Sequence, residues 1–251
     1  MHPDRPSSLD RATLLAFTGR LRASARSFDA PSASTAEARW LRAYLLAATG
    51  AFGRAERAAR RVLEETRNRE TEARAAVTLG SILRQTGRHG EARSIESAAL
   101  RRTRTPELRA HLLIGLAADA VGLGDLAAVD RALRRAVAER YRGWRVTVRL
   151  RWVRCERELL AGRPAAAVRW ARSALAASEK VGAQRHIAKS LLFLGAASRS
   201  VSLATGGTRG RRARLEAGRS LRRARSIASR IGARPIEHVA GDLLGSMGEH
   251  R

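Results

Sequence analysis

Cysteine is nearly absent. Cys155 is the one thiol in 251 residues, which excludes an intramolecular disulfide and a zinc site built on cysteines and fits a reducing compartment. Aromatic residues are scarce at 4%, and there are six prolines. Strands favour aromatic and β-branched side chains, so a chain rich in Ala and Leu is biased towards helix. Lysine is almost missing too: Lys180 and Lys189 are the two lysines among 49 basic residues. No stretch of about 18 apolar residues occurs, and Asp4, Arg5, Asp10, Arg11, Arg20, Arg22 and Arg26 interrupt the N-terminal region. Neither a signal peptide nor a membrane span is therefore expected, and the chain reads as cytoplasmic.

Arginine and a large excess of positive charge are what the chain has instead. The 49 basic residues face 23 acidic ones, a formal net charge of +26. A GC-rich genome exchanges Lys for Arg without functional consequence, but it does not remove Asp and Glu. The surplus of cations points to a polyanionic partner, whether an acidic protein face, nucleic acid or an anionic membrane surface.

An internal period organises the sequence. Gly50, Gly87, Gly124 and Gly162 recur at intervals of 37, 37 and 38 residues, each where one helical pattern stops and another begins, the position at which glycine's tolerance of positive φ is useful. Five residues beyond each glycine stand Ala55, Ala92, Val129 and Ala167. Twelve beyond stand Val62, Ala99, Ala136 and Ala174. These fall on one helical face, with small residues where two helices cross closely. Each unit reads as a helical hairpin.

Leu79-Gly80 and Leu194-Gly195, together with the turn Gly50-Ala51-Phe52-Gly53-Arg54-Ala55, resemble the tetratricopeptide repeat, whose usual period is about 34. His89, Leu126 and Pro164 stand where that repeat carries its aromatic residue after the turn. The closing segment from Ala228 to Pro235, followed by Ala240 and Leu243-Leu244, is similar to the end of the helical repeat domains of large LuxR-type bacterial transcription activators. That likeness implies bacterial origin and a regulatory setting.

The fold expected is an all-α, right-handed solenoid of antiparallel helical hairpins, about five tetratricopeptide-like repeats with terminal capping helices. Residues 1–7 and 248–251 are expected to be disordered tails around a single domain, 8–247. It holds an N-terminal helix at 8–28, hairpins at about 35–68, 71–103, 106–141, 144–181 and 184–231, and a cap at 236–247. The fifth hairpin is irregular, with a loop at 205–210 before its second helix. Trp144 to Trp152 alternates like a strand. As a helix it carries two opposite apolar faces, Trp144, Val148, Cys155 and Leu159 against Val146, Leu150, Val153 and Leu160, which suits a helix sandwiched between neighbours.

Catalytic spacings are absent: there is no phosphate-binding glycine loop, no nucleophile elbow and no zinc-binding histidine pair. We expect no enzyme and no cofactor. Two surfaces remain. The repeat resemblance places the first helix of each hairpin along a concave groove, with Trp40, Tyr44, Arg74, Arg84, Arg149, Trp152, Lys189 and Arg199 as its cationic and aromatic contacts. Tyr44, Ser81 and Ala118 stand where a chaperone-binding carboxylate clamp carries Asn, so chaperone C-termini are not the expected ligand. The second surface is the outer face of the last hairpin, where Arg212, Arg219, Arg223 and Arg230 line up over about 27 Å at the helical rise. Its only acid between Arg209 and Arg234 is Glu216. The leading expectation is an adaptor that takes an acidic peptide or protein into the groove. Sequence-indifferent nucleic-acid binding by the outer stripe is the alternative.

Overall fold

The structure, a computed structural model, describes residues 8–27 and 35–248. Among them are thirteen helices and no strand. They are α1 (Ser8–Phe17), α2 (Leu21–Arg26), α3 (Ala36–Ala48), α4 (Phe52–Glu65), α5 (Arg69–Gln85), α6 (His89–Arg102) and α7 (Pro106–Gly122). There follow α8 (Leu126–Ala138), α9 (Trp144–Leu160), α10 (Pro164–Lys180), α11 (Gln184–Ala204), α12 (Gly207–Ile231) and α13 (Arg234–Gly248). The expected tail 1–7 and residues 249–251 of the expected tail 248–251 lie outside the described residues, as does position 28 of the expected first helix; Gly248 of that tail is instead the last residue of α13.

Local chemistry sets the boundaries. Gly50, Gly87, Gly124 and Gly162 adopt φ of 90°, 75°, 74° and 68°, the left-handed conformation that ends a helix and is free of steric cost only for glycine. Thr35, Asn68 and Asp125 accept hydrogen bonds from the first free amides of α3, α5 and α8, and prolines open α7 and α10, where a missing N–H costs nothing.

Consecutive helices pack on one another: α3 on α4, α5 on α6, α7 on α8, α9 on α10 and α11 on α12. The odd-numbered helices also pack in series from α3 to α11. The shared core is built from fully buried Leu41, Leu79, Leu83, Leu112, Leu113 and Leu221, with alanines where backbones approach. The two-faced reading of α9 holds. Val146, Leu150 and Val153 pack into the core of α7 and α8, while Cys155 and Leu159 pack towards α10 and α11. Leu160 departs from it, being 39% exposed at the helix end.

Three boundaries differ from expectation. The N-terminal helix is broken into α1 and α2 at Gly19, whose φ is 87°. A Cβ there would stand 2.6 Å from the Arg185 amide nitrogen, so close approach to α11 imposes the break. The loop before α12 shrinks to Thr205 and Gly206, because helix resumes at Gly207 and runs for 25 residues. The last helix begins at Arg234, with Pro235 in its first turn where proline is tolerated, and extends to Gly248.

The N-terminal helices and the turn at Gly50 touch helices from the second half of the fold. The Gln184 amide donates to Thr18 O at 3.0 Å, the Arg145 guanidinium lies over the Phe17 ring at 3.4 Å from its centroid, and the turn at Gly50 rests on Pro235. Among the described residues one helix, Gln184–Ala204, is long and apolar enough on average to cross a membrane, although no such span was expected, and 50% of its apolar window is buried in the fold.

Candidate binding cavity

Trp40 and Tyr44 on α3, Arg74 and Arg84 on α5, Arg149 and Trp152 on α9 and Lys189 on α11 border a single cavity of about 430 Å³. The series packing of the odd-numbered helices brings them together, since each contributes its inward face. Arg199 is not among them. It lies ten residues beyond Lys189, about 15 Å along the axis and about 80° round it at ordinary helical geometry, which turns it away from the cavity. Sequence reasoning missed Arg145, Arg185, His186, Phe17 and Phe193. Arg145 and Arg185 were detectable, because each precedes a groove cation by four residues and so shares its face. Phe17 was not, because it arrives from outside the repeat.

The aromatic residues are held rigidly. The Trp40 indole N–H donates to Thr78 Oγ1 at 3.0 Å and that of Trp152 to Ser190 Oγ at 2.9 Å. Phe17 packs edge-on against Trp40 and Tyr44, while Trp152 stacks on His186 and Phe193.

The cations fall into two groups. Arg74 pairs with Glu37, and Arg84 is consumed by structure. Its Nη1 and Nη2 donate to the two carboxylate oxygens of Glu96, both at 3.0 Å, and Nη1 also donates to Asp119 Oδ1 at 3.0 Å. Burial pushes the Glu96 carboxyl up, to about 7, against the opposing pull of Arg84. The Glu96 side chain passes between two helices at Gly80 and Gly115, where an added Cβ would come within 2.3 Å and 2.2 Å of its oxygens. Arg74 and Arg84 were expected as ligand contacts; their charges are already met within the fold.

Arg145, Arg149, Arg185 and Lys189 form the second group, and rings rather than carboxylates hold them. Arg145 lies over Phe17, Arg185 over Tyr44, and Lys189 over Trp152 and Phe193. Arg149 Nη1 meets Nδ1 of His111 at 2.8 Å. Burial pushes the His111 pKa down to about 3, with Arg149 adding to the effect, so the ring is neutral and offers a lone pair without negative charge. Burial, followed by the neighbouring Arg84 and Arg145, lowers Arg149 to about 9. Burial, followed by Arg185, lowers Lys189 to about 8.

The outer stripe is where the sequence placed it. Arg212, Arg219, Arg223 and Arg230 are exposed on α12. Relief from mutual repulsion comes across the helix pair, which the sequence alone did not reveal: Arg223 donates to Glu179 of α10 at 2.9 Å, and Glu216 accepts from Arg172 of α10 and from Ser198 of α11.

Among the described residues there is no group of three His, Cys, Asp or Glu side chains placed to hold a metal ion. Cys155 is fully buried and its thiol is pushed up to about 12 by that burial, so it is not a nucleophile at neutral pH. No protein-family model matches the chain, and no curated protein matches it.

Proposed function

We propose that the chain is a non-catalytic binding module, a right-handed solenoid of about five tetratricopeptide-like hairpins. Its Arg-rich interior takes the acidic end of a peptide or protein partner, in cytoplasmic bacterial regulation or complex assembly. One observation carries the reading: four cations converge on an interior cavity without a carboxylate in ion-pair contact with any of them among the described residues. Enclosed, poorly solvated cations exert strong attraction on an entering anion. Calorimetric titration with a short Glu-rich peptide tests it. Binding is expected to weaken at least tenfold in Arg149→Gln, and unchanged affinity in that variant defeats the proposal.

The outer face of α12 supports a second reading, sequence-indifferent contact with nucleic acid. Exposed Arg211, Arg212, Arg219, Arg222 and Arg225 make no ion pair among the described residues, and such a stripe would meet phosphates with a steep dependence on salt. A gel shift with random duplex and single strand at two salt concentrations decides it, absence of a shift at low salt removing the reading.

A further inference from the structure

The cationic end of the cavity is built from two helices in register. Arg145 and Arg149 lie one turn apart on α9, as do Arg185 and Lys189 on α11, so four positive groups converge on one space. Two carboxylates of the cavity wall, Glu107 and Glu156, lie near this end, and neither is within ion-pair distance of any of the four. Nε of Arg145 and Nε of Arg185 are buried without a hydrogen-bond partner. Buried donors in such a state are ordinarily satisfied by an unseen partner. Ring faces and a neutral imidazole hold the cations in place without cancelling their charge.

We infer that this end of the cavity binds the phosphoryl group of a small phosphate monoester. This rests on the reading of the interior as an anion-binding site and adds a smaller ligand that competes there with an acidic peptide end. A monoester carries about −1.5 to −2 charges at neutral pH, matching four cations set against two nearby carboxylates. Guanidinium forks fit phosphate oxygens in pairs, and three of the four cations are arginines. About 430 Å³ lies within the range of small-molecule sites, and Ile114, Val153 and Phe193 supply apolar wall for the organic part. The bond from the Gln184 amide to Thr18 O ties the N-terminal helices to α11 beside the four cations.

Calorimetric titration of the full chain with phenyl phosphate, inorganic phosphate, succinate and a Glu-rich peptide tests the inference. Phenyl phosphate is expected to bind at one site, tighter than succinate, and to weaken at least tenfold in Arg149→Gln and in Lys189→Met. Arg54→Gln, on the exposed side of α4, is expected to bind as the unaltered chain does. Thermal melts confirm folding of each variant, and phenyl phosphate is expected to raise the melting temperature of the unaltered chain. If both interior variants fail to fold, absence of that rise alone overturns the inference. Failure of both phosphates to bind, affinity unchanged in both variants, or succinate binding as tightly overturns it. Peptide binding lost in Arg149→Gln without phosphate binding sinks this inference and leaves the interior reading standing. No binding by any of the four probes sinks both.

Discussion

Trp40 donates its indole N–H to the Thr78 hydroxyl one repeat away, and Trp152 does the same to Ser190. The two helices share the local sequence Arg-Trp-x-Arg, at Arg39 to Arg42 and at Arg151 to Arg154, and each fastens the next helix of the series with one such bond. Both bonds are buried, so removing either acceptor strands an N–H away from water. Thr78→Val and Ser190→Ala are each expected to lower the unfolding free energy by about 1–3 kcal/mol, measured by urea denaturation; values below a few tenths would show that the hydroxyls are incidental.

Gly115 and Gly241 are predicted to respond oppositely to alanine. At Gly115 a Cβ would stand 2.2 Å from Glu96 Oε2, and moving that carboxylate leaves Arg84 buried with less of its charge met. Gly115→Ala is expected to cost more than about 3 kcal/mol. Gly241 sits inside α13 with nothing within 4 Å of the added atom, so Gly241→Ala is expected to stabilise by about 0.5–1 kcal/mol. Paired denaturation curves separate the two.

Buried histidines and buried carboxyls are expected to pull stability in opposite directions on acidification. His111 and His186 are both held below their ordinary value of 6.5, chiefly by burial. Each therefore contributes stability that is complete above about 6.5 and is lost as pH falls, at about 1.4 kcal/mol per pH unit. Glu96, raised from 4.5 to about 7, acts in the other direction: its contribution is complete below 4.5 and is lost as pH rises to about 7. Glu156 and Asp119, also raised by burial, act with Glu96, so the His111 share is read as the difference between the unaltered chain and His111→Gln, about 1.4 kcal/mol per unit between pH 6.5 and 4.5. Melting temperatures of both chains across that window check it; identical pH dependence would show that His111 carries no such share.

Cys155 is expected to resist thiol reagents in the native state. With the side chain fully buried and the thiol raised to about 12, the thiolate is too rare to react near neutral pH. Ellman's reagent should register one thiol in denaturant and essentially none before it; rapid native labelling would contradict the packing around α9.

The periodic glycines made the helix boundaries readable, because a stop at positive φ needs glycine whatever surrounds it. Gly50, Gly87, Gly124 and Gly162 sit where the pattern put them. The repeat frame likewise carried Trp40, Arg149 and Lys189 to one cavity. It failed at contacts that no period encodes. Gly19 breaks the first helix because Arg185, far along the chain, crowds it. Arg74 and Arg84 read as free charge, because their partners Glu37, Glu96 and Asp119 lie on other helices. Gly115, following Ile114 rather than Leu, escaped notice as the counterpart of Gly80, although both admit the same carboxylate.

A row of helix pairs with two open ends frays from those ends, and its interior exchanges freely with solvent. Here the junctions of Thr18 with Gln184 and of Gly50 with Pro235 leave no terminal pair to loosen by itself. The cavity keeps a mouth to solvent beside Glu37 and Glu70, so an occupant can enter without a junction parting. Residence time would then follow the contacts made by the occupant, and the junctions would set how firmly the cations are held around it.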